Sequence, residues 1–281
     1  MNRREFVGLA AAAPAFGAIA PRDLDKIKLR KAGKVETVFK SPGPKPNGLQ
    51  ATKDGLWIID QGDNKAYLVA YSDGKVLREF ATDADRASGI TFDGDSLWIG
   101  STYNREIVRC DAKNGKTLAR FFTPGAGVIY KTTWDPPGRS SPLLKPSRSA
   151  AEPAPRPAPT GQPAAPNTLG TGAHGQEWKD GKLWMAVPPS RMIYRIDPQT
   201  WVVEQQFPTA GNRPHGIGWE GRYLWCTDSN LNAFFKHDAA TGEIVEKIQL
   251  AESDPLPHGM SIWNGVLWYC DDVGVVCRLK M

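Results

Sequence analysis

Three histidines recur at one position of a repeated motif. His174, His215 and His258 are each followed by glycine, and each stands ten residues before a tryptophan that follows leucine. Imidazoles are the commonest protein ligands for zinc, iron and copper, and they also serve as general bases near neutral pH. Three imidazoles at one point would leave a coordination position open for water or substrate, as catalytic metal sites require. The spacing therefore predicts either a metal site or an acid–base site.

The motif occurs five times along the chain. A polar residue and a glycine open it, and a short apolar segment, a polar turn and a Leu-Trp pair follow. The five copies begin at Asn47, Ser88, His174, His215 and His258. The intervals between them are 41, 86, 41 and 43 residues, a period typical of propellers and repeat arrays. Each unit divides into four short strands, which predicts an all-β protein, a β-propeller of four-stranded antiparallel blades.

The interval of 86 residues spans two periods with one copy missing. The missing copy falls at residues 124–171, which contain eleven prolines. Because proline cannot donate to a sheet ladder, this stretch cannot form four regular strands. We predict five blades and a disordered Pro/Ala-rich insertion at about 124–171, with six blades, one of them degenerate, as the alternative.

The two ends of the repeat region are complementary. Residues 26–39 predict a strand, a turn and a strand without the inner half of a blade, whereas residues 258–281 predict only the inner strands. We expect the N-terminal segment to complete the last blade, because closing the ring removes exposed sheet edges. Residues 21–281 then form a single propeller domain.

The first twenty residues resemble a twin-arginine signal peptide. Arg3 and Arg4 precede an alanine-rich run that is too short to span a bilayer as a mature helix. We predict a periplasmic or secreted protein with no integral membrane segment after signal removal. The net charge of +5 is not gathered into a basic stripe, so we expect no binding of nucleic acid. We also expect a monomer whose partner is a small-molecule substrate or ligand. Four cysteines permit disulfides in an exported protein, with buried free thiols as the favoured state.

Further candidate residues are expected at the same mouth of the channel as the histidines. Asp228 and Asp271 stand three residues after repeat tryptophans, and we predict that they orient His215 and His258 or bind a hard cation. Arg105 lies in a loop at the same mouth and could clamp a carboxylate or phosphate. The predicted catalytic residues are His215, His258, Asp228, Asp271 and Arg105, and the predicted metal ligands are His174, His215 and His258. The alternative for the histidines is a structural ring that bonds the backbone of neighbouring blades.

Three copies of the motif carry a resemblance to known propellers: PHGIGWEGRYLWCTDSN, PHGMSIWNGVLWYCDD and SGITFDGDSLWIGSTYN. They resemble the blades of the YVTN, streptogramin lyase-like (virginiamycin B lyase) and senescence marker protein/gluconolactonase-like propellers, over residues 26–123 and 172–281. Streptogramin lyases are metal-assisted and use a histidine base, and an amidating-lyase propeller holds zinc with three histidines from separate blades. The three histidines here match that set by position in the blade. Glutamine cyclotransferase-like propellers have five blades, but their acidic motif residue is replaced here by histidine.

Two functions follow as hypotheses. The first is an exported metal-dependent lyase or hydrolase, lactonase-like, that acts on a small molecule at the channel mouth. Its divalent metal could be zinc, iron, magnesium or calcium. The second is a non-catalytic propeller that binds a ligand or a partner protein.

Overall fold

The ring of the propeller contains five blades. The structure is a computed structural model that describes residues 23–128, 170–271 and 273–281. Within these residues, five four-stranded antiparallel sheets form a propeller, which confirms the predicted fold class and blade number. A single turn of 3-10 helix, Leu24–Lys26, precedes the strands. The described part of the chain contains no helix long and apolar enough to cross a membrane.

Each blade runs outward from the channel, and its innermost strand begins at a copy of the motif. Blade 5 joins β1 (Glu36–Lys40) to β20 (Met260–Trp263), β21 (Val266–Cys270) and β22 (Val275–Lys280). Blades 1 and 2 contain β2 (Pro46–Thr52), β3 (Gly55–Asp60), β4 (Lys65–Val69), β5 (Val76–Ala81), β6 (Ala87–Phe92), β7 (Ser96–Ser101), β8 (Glu106–Asp111) and β9 (Thr117–Phe122). Blades 3 and 4 contain β12 (Gly175–Lys179), β13 (Lys182–Val187), β14 (Met192–Ile196), β15 (Val203–Pro208), β16 (Pro214–Glu220), β17 (Tyr223–Asp228), β18 (Ala233–Asp238) and β19 (Ile244–Gln249).

The predicted insertion begins and ends in a short ribbon. Strands β10 (Gly127–Val128) and β11 (Gly170–Thr171) pair antiparallel between blades 2 and 3. Residues 129–169 lie outside the described residues, as does the predicted signal peptide, so disorder and export both stay predictions.

The N-terminal strand closes the ring, as predicted. Strand β1 pairs antiparallel with β22, from Glu36 opposite Arg278 to Lys40 opposite Val275. The earlier part of this segment differs from the expectation. Leu29 forms an isolated parallel bridge with Lys247 at the outer edge of blade 4, so the segment spans two blades rather than folding back within one.

Charged contacts explain why this part of the segment lies on blade 4. The Arg30 guanidinium pairs with Glu220 at 2.7 Å and with Glu246 at 2.8 Å. It also lies over the ring of Trp225, 5.2 Å from the ring centroid. One arginine can pair with two carboxylates and stack on an aromatic ring at the same time. If the segment turned back within blade 5, Arg30 would lose these contacts on blade 4.

The repeat tryptophans fill the spaces between neighbouring blades. Trp225 packs with Leu267 and Tyr269 of blade 5, and Trp268 of blade 5 packs with Leu49 of blade 1. All five repeat tryptophans are buried, at 0–5% exposure. The four cysteines are also buried, and none of them is in a disulfide bond, as favoured from the sequence. Aromatic packing between blades therefore holds the ring together.

The glycine that follows each polar motif residue lies where the innermost strands meet around the channel. A Cβ on Gly259 would approach the Gly48 Cα and the Asn47 carbonyl oxygen to 2.6 Å each, closer than real Cβ contacts come. Glycine is therefore required by the close approach of blades 5 and 1. The same approach brings the preceding polar side chains of successive blades together.

Candidate functional site

The five polar motif residues meet at the start of the innermost strands. The Ser88 hydroxyl donates to Asn47 Oδ1, and His174 Nδ1 lies 3.2 Å from His215 Nε2. The rings of His215 and His258 pack with centroids 4.1 Å apart. All five side chains are buried, with exposures of 0–8%. The structure thus brings the three predicted histidines together, each from a different blade.

Burial keeps two of these imidazoles neutral. Burial, with a further contribution from the charge of Arg213, lowers the pKa of His174 to about 3. Burial, reinforced by the neighbouring rings, lowers the pKa of His215 well below its usual value. Both rings therefore lack a positive charge at neutral pH.

Hydrogen-bond polarity then fixes the position of each ring proton. A backbone carbonyl only accepts, so the 3.0 Å contact between His215 Nδ1 and the Arg213 carbonyl oxygen places a proton on that nitrogen. His215 Nε2 accepts from His174 Nδ1–H, and His174 Nε2 accepts from the Thr171 hydroxyl at 2.6 Å. We call Thr171, His174 and His215 the histidine run. Every donor in it points toward the Arg213 carbonyl, so both rings carry their proton on Nδ1.

The third imidazole contacts a buried cation. Arg213 Nη2 lies 3.1 Å from His258 Nε2, and the arginine is 4% exposed. A guanidinium only donates, so His258 Nε2 presents its lone pair and the ring is neutral. The site thus pairs one buried positive charge with one buried basic nitrogen.

A serine in the neighbouring loop helps to hold this arrangement. Ser229 Oγ donates to the carbonyl oxygen of Pro257 at 2.6 Å, which fixes the residue before His258. The same oxygen lies 3.2 Å from His215 Nδ1 and accepts a hydrogen bond from that N–H, which donates to the Arg213 carbonyl oxygen as well. Ser229 therefore links two of the three histidines through one hydroxyl group.

The two predicted carboxylates accept hydrogen bonds from backbone N–H groups of the loops that follow them, and Asp228 also accepts one from Arg213. Asp228 Oδ2 accepts from the Arg213 N–H at 3.1 Å, and its Oδ1 accepts from Leu231 N–H at 3.1 Å. Asp271 Oδ1 accepts from three successive N–H groups, including that of Gly274 at 2.9 Å. Burial raises the pKa of Asp228 to about 6, although these bonds oppose the rise. Asp228 therefore positions Arg213 through its backbone, and the predicted roles beside His215 and at a cation stay predictions.

Arg105 and His237 occupy positions set by the repeat. Arg105 has a left-handed backbone with φ of 60°, as have Asn64, Arg191 and Asn232 at the same place in blades 1, 3 and 4, so this turn is a structural feature shared by four blades. The structure does not bring Arg105 into the hydrogen bonds described for the histidines. His237 stands on a third strand, away from the channel mouth, a place that predicts a surface or edge position from the sequence. That prediction is wrong: His237 is fully buried, with its ring 5.4 Å from that of Phe207 between blades 3 and 4.

The three histidines as arranged do not fit a metal ion. A three-histidine site needs three lone pairs aimed at one point. Here the lone pairs of His174, His215 and His258 face a hydroxyl, an imidazole N–H and a guanidinium. No group of three or more His, Cys, Asp or Glu side chains suited to a metal occurs in the described part of the chain.

The repeat pattern does not predict Arg213, Ser229 or Thr171 as residues of the site. Their roles depend on contacts between loops of different blades, which a period of about 42 residues does not reveal. One local signal was present for Arg213. It stands two residues before His215 in the segment RPHG, whereas the other PHG segment, at residues 257–259, follows a leucine.

Comparison with solved structures agrees with the propeller fold. Glutaminyl cyclase from Myxococcus xanthus matches with a TM-score of 0.57 and 10% identity, over 88% of this chain and 96% of that chain. Virginiamycin B lyase from Staphylococcus aureus matches with a TM-score of 0.47 and 19% identity, over 84% of this chain and 66% of that chain. A streptogramin B lyase matches with a TM-score of 0.46 and 14% identity, over 89% of this chain and 98% of that chain. Such identities show a similar fold alone, and no protein-family model or curated protein matches the sequence.

Proposed function

We propose that the protein is a lyase or hydrolase that acts on a small molecule at the mouth of its channel by acid–base chemistry. The observation that carries this proposal is the contact of 3.1 Å between Arg213 Nη2 and His258 Nε2. It places a basic nitrogen beside a guanidinium, a cation that carries five N–H groups in a fixed planar arrangement. A base beside a fixed positive charge suits reactions in which a proton leaves and negative charge develops on a nearby oxygen.

His258 and Arg213 have complementary roles in this reaction. When a substrate binds, Arg213 turns its guanidinium from His258 Nε2 to the substrate oxygen, which frees the imidazole lone pair to take a proton from a substrate carbon or from an attacking water. Arg213 holds the carbonyl or carboxylate oxygen on which negative charge develops. The substrate class is therefore a small molecule with a carbonyl or carboxylate group, such as a lactone, an ester or an acid that undergoes elimination.

His174 and His215 position the site rather than move protons through it. The histidine run ends on the Arg213 carbonyl oxygen, which cannot donate a proton to reverse the polarity of the run. The run therefore fixes the backbone of Arg213 from one side, while Asp228 fixes it from the other. No step of the proposed reaction requires a metal.

Replacement of His258 tests the proposal. We expect His258→Gln to lower turnover by about 10²- to 10⁴-fold, since it removes the basic nitrogen and keeps a hydrogen-bonding side chain. The measurement is a screen of the purified wild type against lactones, esters and elimination substrates, followed by kcat/KM of the variants on any substrate found.

His237→Gln is the matched control, because it makes the same chemical change at a buried histidine outside the channel. It should keep its turnover if circular dichroism shows that it folds. Equal losses in the two variants would refute the role of His258.

Burial of the site favours a second candidate, a propeller that binds without catalysis. The three rings are only 2–8% exposed, and the nitrogens of the histidine run bond within the protein, as a structural ring would require. A wild type that turns over no substrate, together with a His258→Gln variant that loses stability rather than activity, would support this candidate.

A further inference from the structure

A second polar layer lies in the channel beyond the histidines. It occupies the positions three residues after each polar motif residue: Gln50, Thr91, Glu177, Gly218 and Ser261. The four side chains of this layer are buried, at 0–8% exposure. Neither the histidine run nor the Arg213–His258 contact uses any of them.

Hydrogen bonds join this layer into a second directed run. The Thr91 hydroxyl donates to Gln50 Oε1 at 2.6 Å, and Gln50 Nε2 donates to Ser261 Oγ at 3.4 Å. Ser261 Oγ then donates to Glu177 Oε1 at 3.1 Å. The last bond joins blade 5 to blade 3, which are not neighbours in the ring. It therefore passes blade 4 at the level where that blade contributes Gly218 and no side chain.

The run ends at the carboxyl group of Glu177, where an uncharged side chain could make the same hydrogen bond. Glutamine at position 177 would accept the same bond from Ser261 and would avoid the cost of burying an ionisable group. Burial raises the pKa of Glu177 to about 8, although its bonds to Ser261 and Gln50 and the charge of Lys179 oppose the rise. The side chains of this layer from β2, β6 and β20 are uncharged, and β16 contributes a glycine. Glutamate and glutamine differ at this position in one property, because the carboxyl group can lose a proton and the amide cannot.

We propose that Glu177 is an internal acid of the propeller channel, which holds a proton at neutral pH and weakens the inner ring when it loses that proton. In alkaline solution the O–H bond of the carboxyl breaks and the proton passes to a solvent base. The carboxylate that remains still accepts from Ser261, but it is a charge buried among uncharged groups. The channel thereby responds to pH independently of the reaction proposed at Arg213 and His258.

The direction of the effect follows from linkage. The unfolded chain ionises this glutamate near its ordinary pKa of 4.5, whereas the folded chain does so near 8. Between these values the unfolded state loses its proton and the folded state keeps it, so folding weakens as pH rises. The shift corresponds to about a thousandfold in the folding equilibrium constant across this window.

Denaturant unfolding between pH 4.5 and 9 tests the proposal with three proteins: wild type, Glu177→Gln and Glu252→Gln, which alters an exposed glutamate. We expect the ratio of the folding constants of Glu177→Gln and wild type to rise steadily with pH, by about a thousandfold at the alkaline end. Glu252→Gln should follow the wild type. A constant ratio between Glu177→Gln and wild type would overturn the proposal.

Infrared difference spectroscopy gives a direct second readout. Wild type at pH 7 should show a protonated-carboxyl band that disappears near pH 8 and is missing from Glu177→Gln. If that variant does not fold, the wild-type titration decides alone. A wild type without such a band at pH 7 would show that Glu177 is ionised there and would overturn the proposal.

Discussion

Arg213 determines what the neighbouring imidazoles can do. Its carbonyl oxygen accepts from His215 and so sets the direction of the histidine run, while its guanidinium donates to His258. Arg213 thus gives His174 and His215 a positioning role and His258 the role of the base. Three histidines at equivalent places in the repeat therefore have different chemistry, because their partners are not repeated.

The residue types of the site were predictable from the sequence, and their partners were not. The recurrence of polar-Gly at a fixed distance from Leu-Trp placed His174, His215 and His258 side by side. It could not show whether their lone pairs would converge, since that depends on Thr171 and on the backbone of Arg213. The carboxylates at the ends of the second strands were expected to orient the histidines, but their hydrogen bonds in the structure come from backbone N–H groups.

At the scale of elements, the N-terminal segment joins two blades. Strand β1 supplies the outer strand of blade 5, and Arg30 fastens the preceding residues to blade 4. The two parts should contribute differently to stability, because one completes a sheet and the other adds partly buried ion pairs.

Two truncations separate these contributions. A protein that begins at residue 35 keeps β1 and loses Arg30, and we expect it to fold with about 1–3 kcal/mol less stability. A protein that begins at residue 41 exposes the edge of β22 and loses Phe39 from the hydrophobic core, and we expect it to unfold or aggregate. Denaturant unfolding, compared with a protein that begins at residue 23, measures both. Equal stability of the two shorter proteins would contradict this division.

The strands of each blade were predicted closely from the sequence. In blade 4 the Glu220-Gly221 turn of the sequence predicts a hairpin whose second strand begins at Tyr223, and β17 begins there. Strand–turn–strand was the wrong expectation for residues 26–39. The apolar pattern there does not reveal that Arg30 finds its carboxylates on another blade.

At the scale of the whole molecule, the ring is complete without residues 129–169. Val128 and Gly170 are opposite one another in the ribbon of β10 and β11, so the two ends of the insertion are already close in space. We expect a protein in which Asn-Gly joins Val128 to Gly170 to fold with a melting temperature within a few degrees of the wild type, since such a pair forms a tight hairpin turn. Calorimetry measures this, and loss of the cooperative transition would show that the insertion stabilises the ring.

The position of the proton on each histidine ring can be measured directly. The chain has only four, so ¹⁵N-histidine NMR spectra are simple, and His237→Gln assigns the one outside the channel. We predict that His174, His215 and His258 are neutral with the proton on Nδ1. We also predict that His174 and His215 do not titrate between pH 8 and 5, because burial lowers the pKa of both rings. A proton on Nε2 of any of the three, or titration of His174 or His215 near the ordinary value of about 6.5, would contradict it.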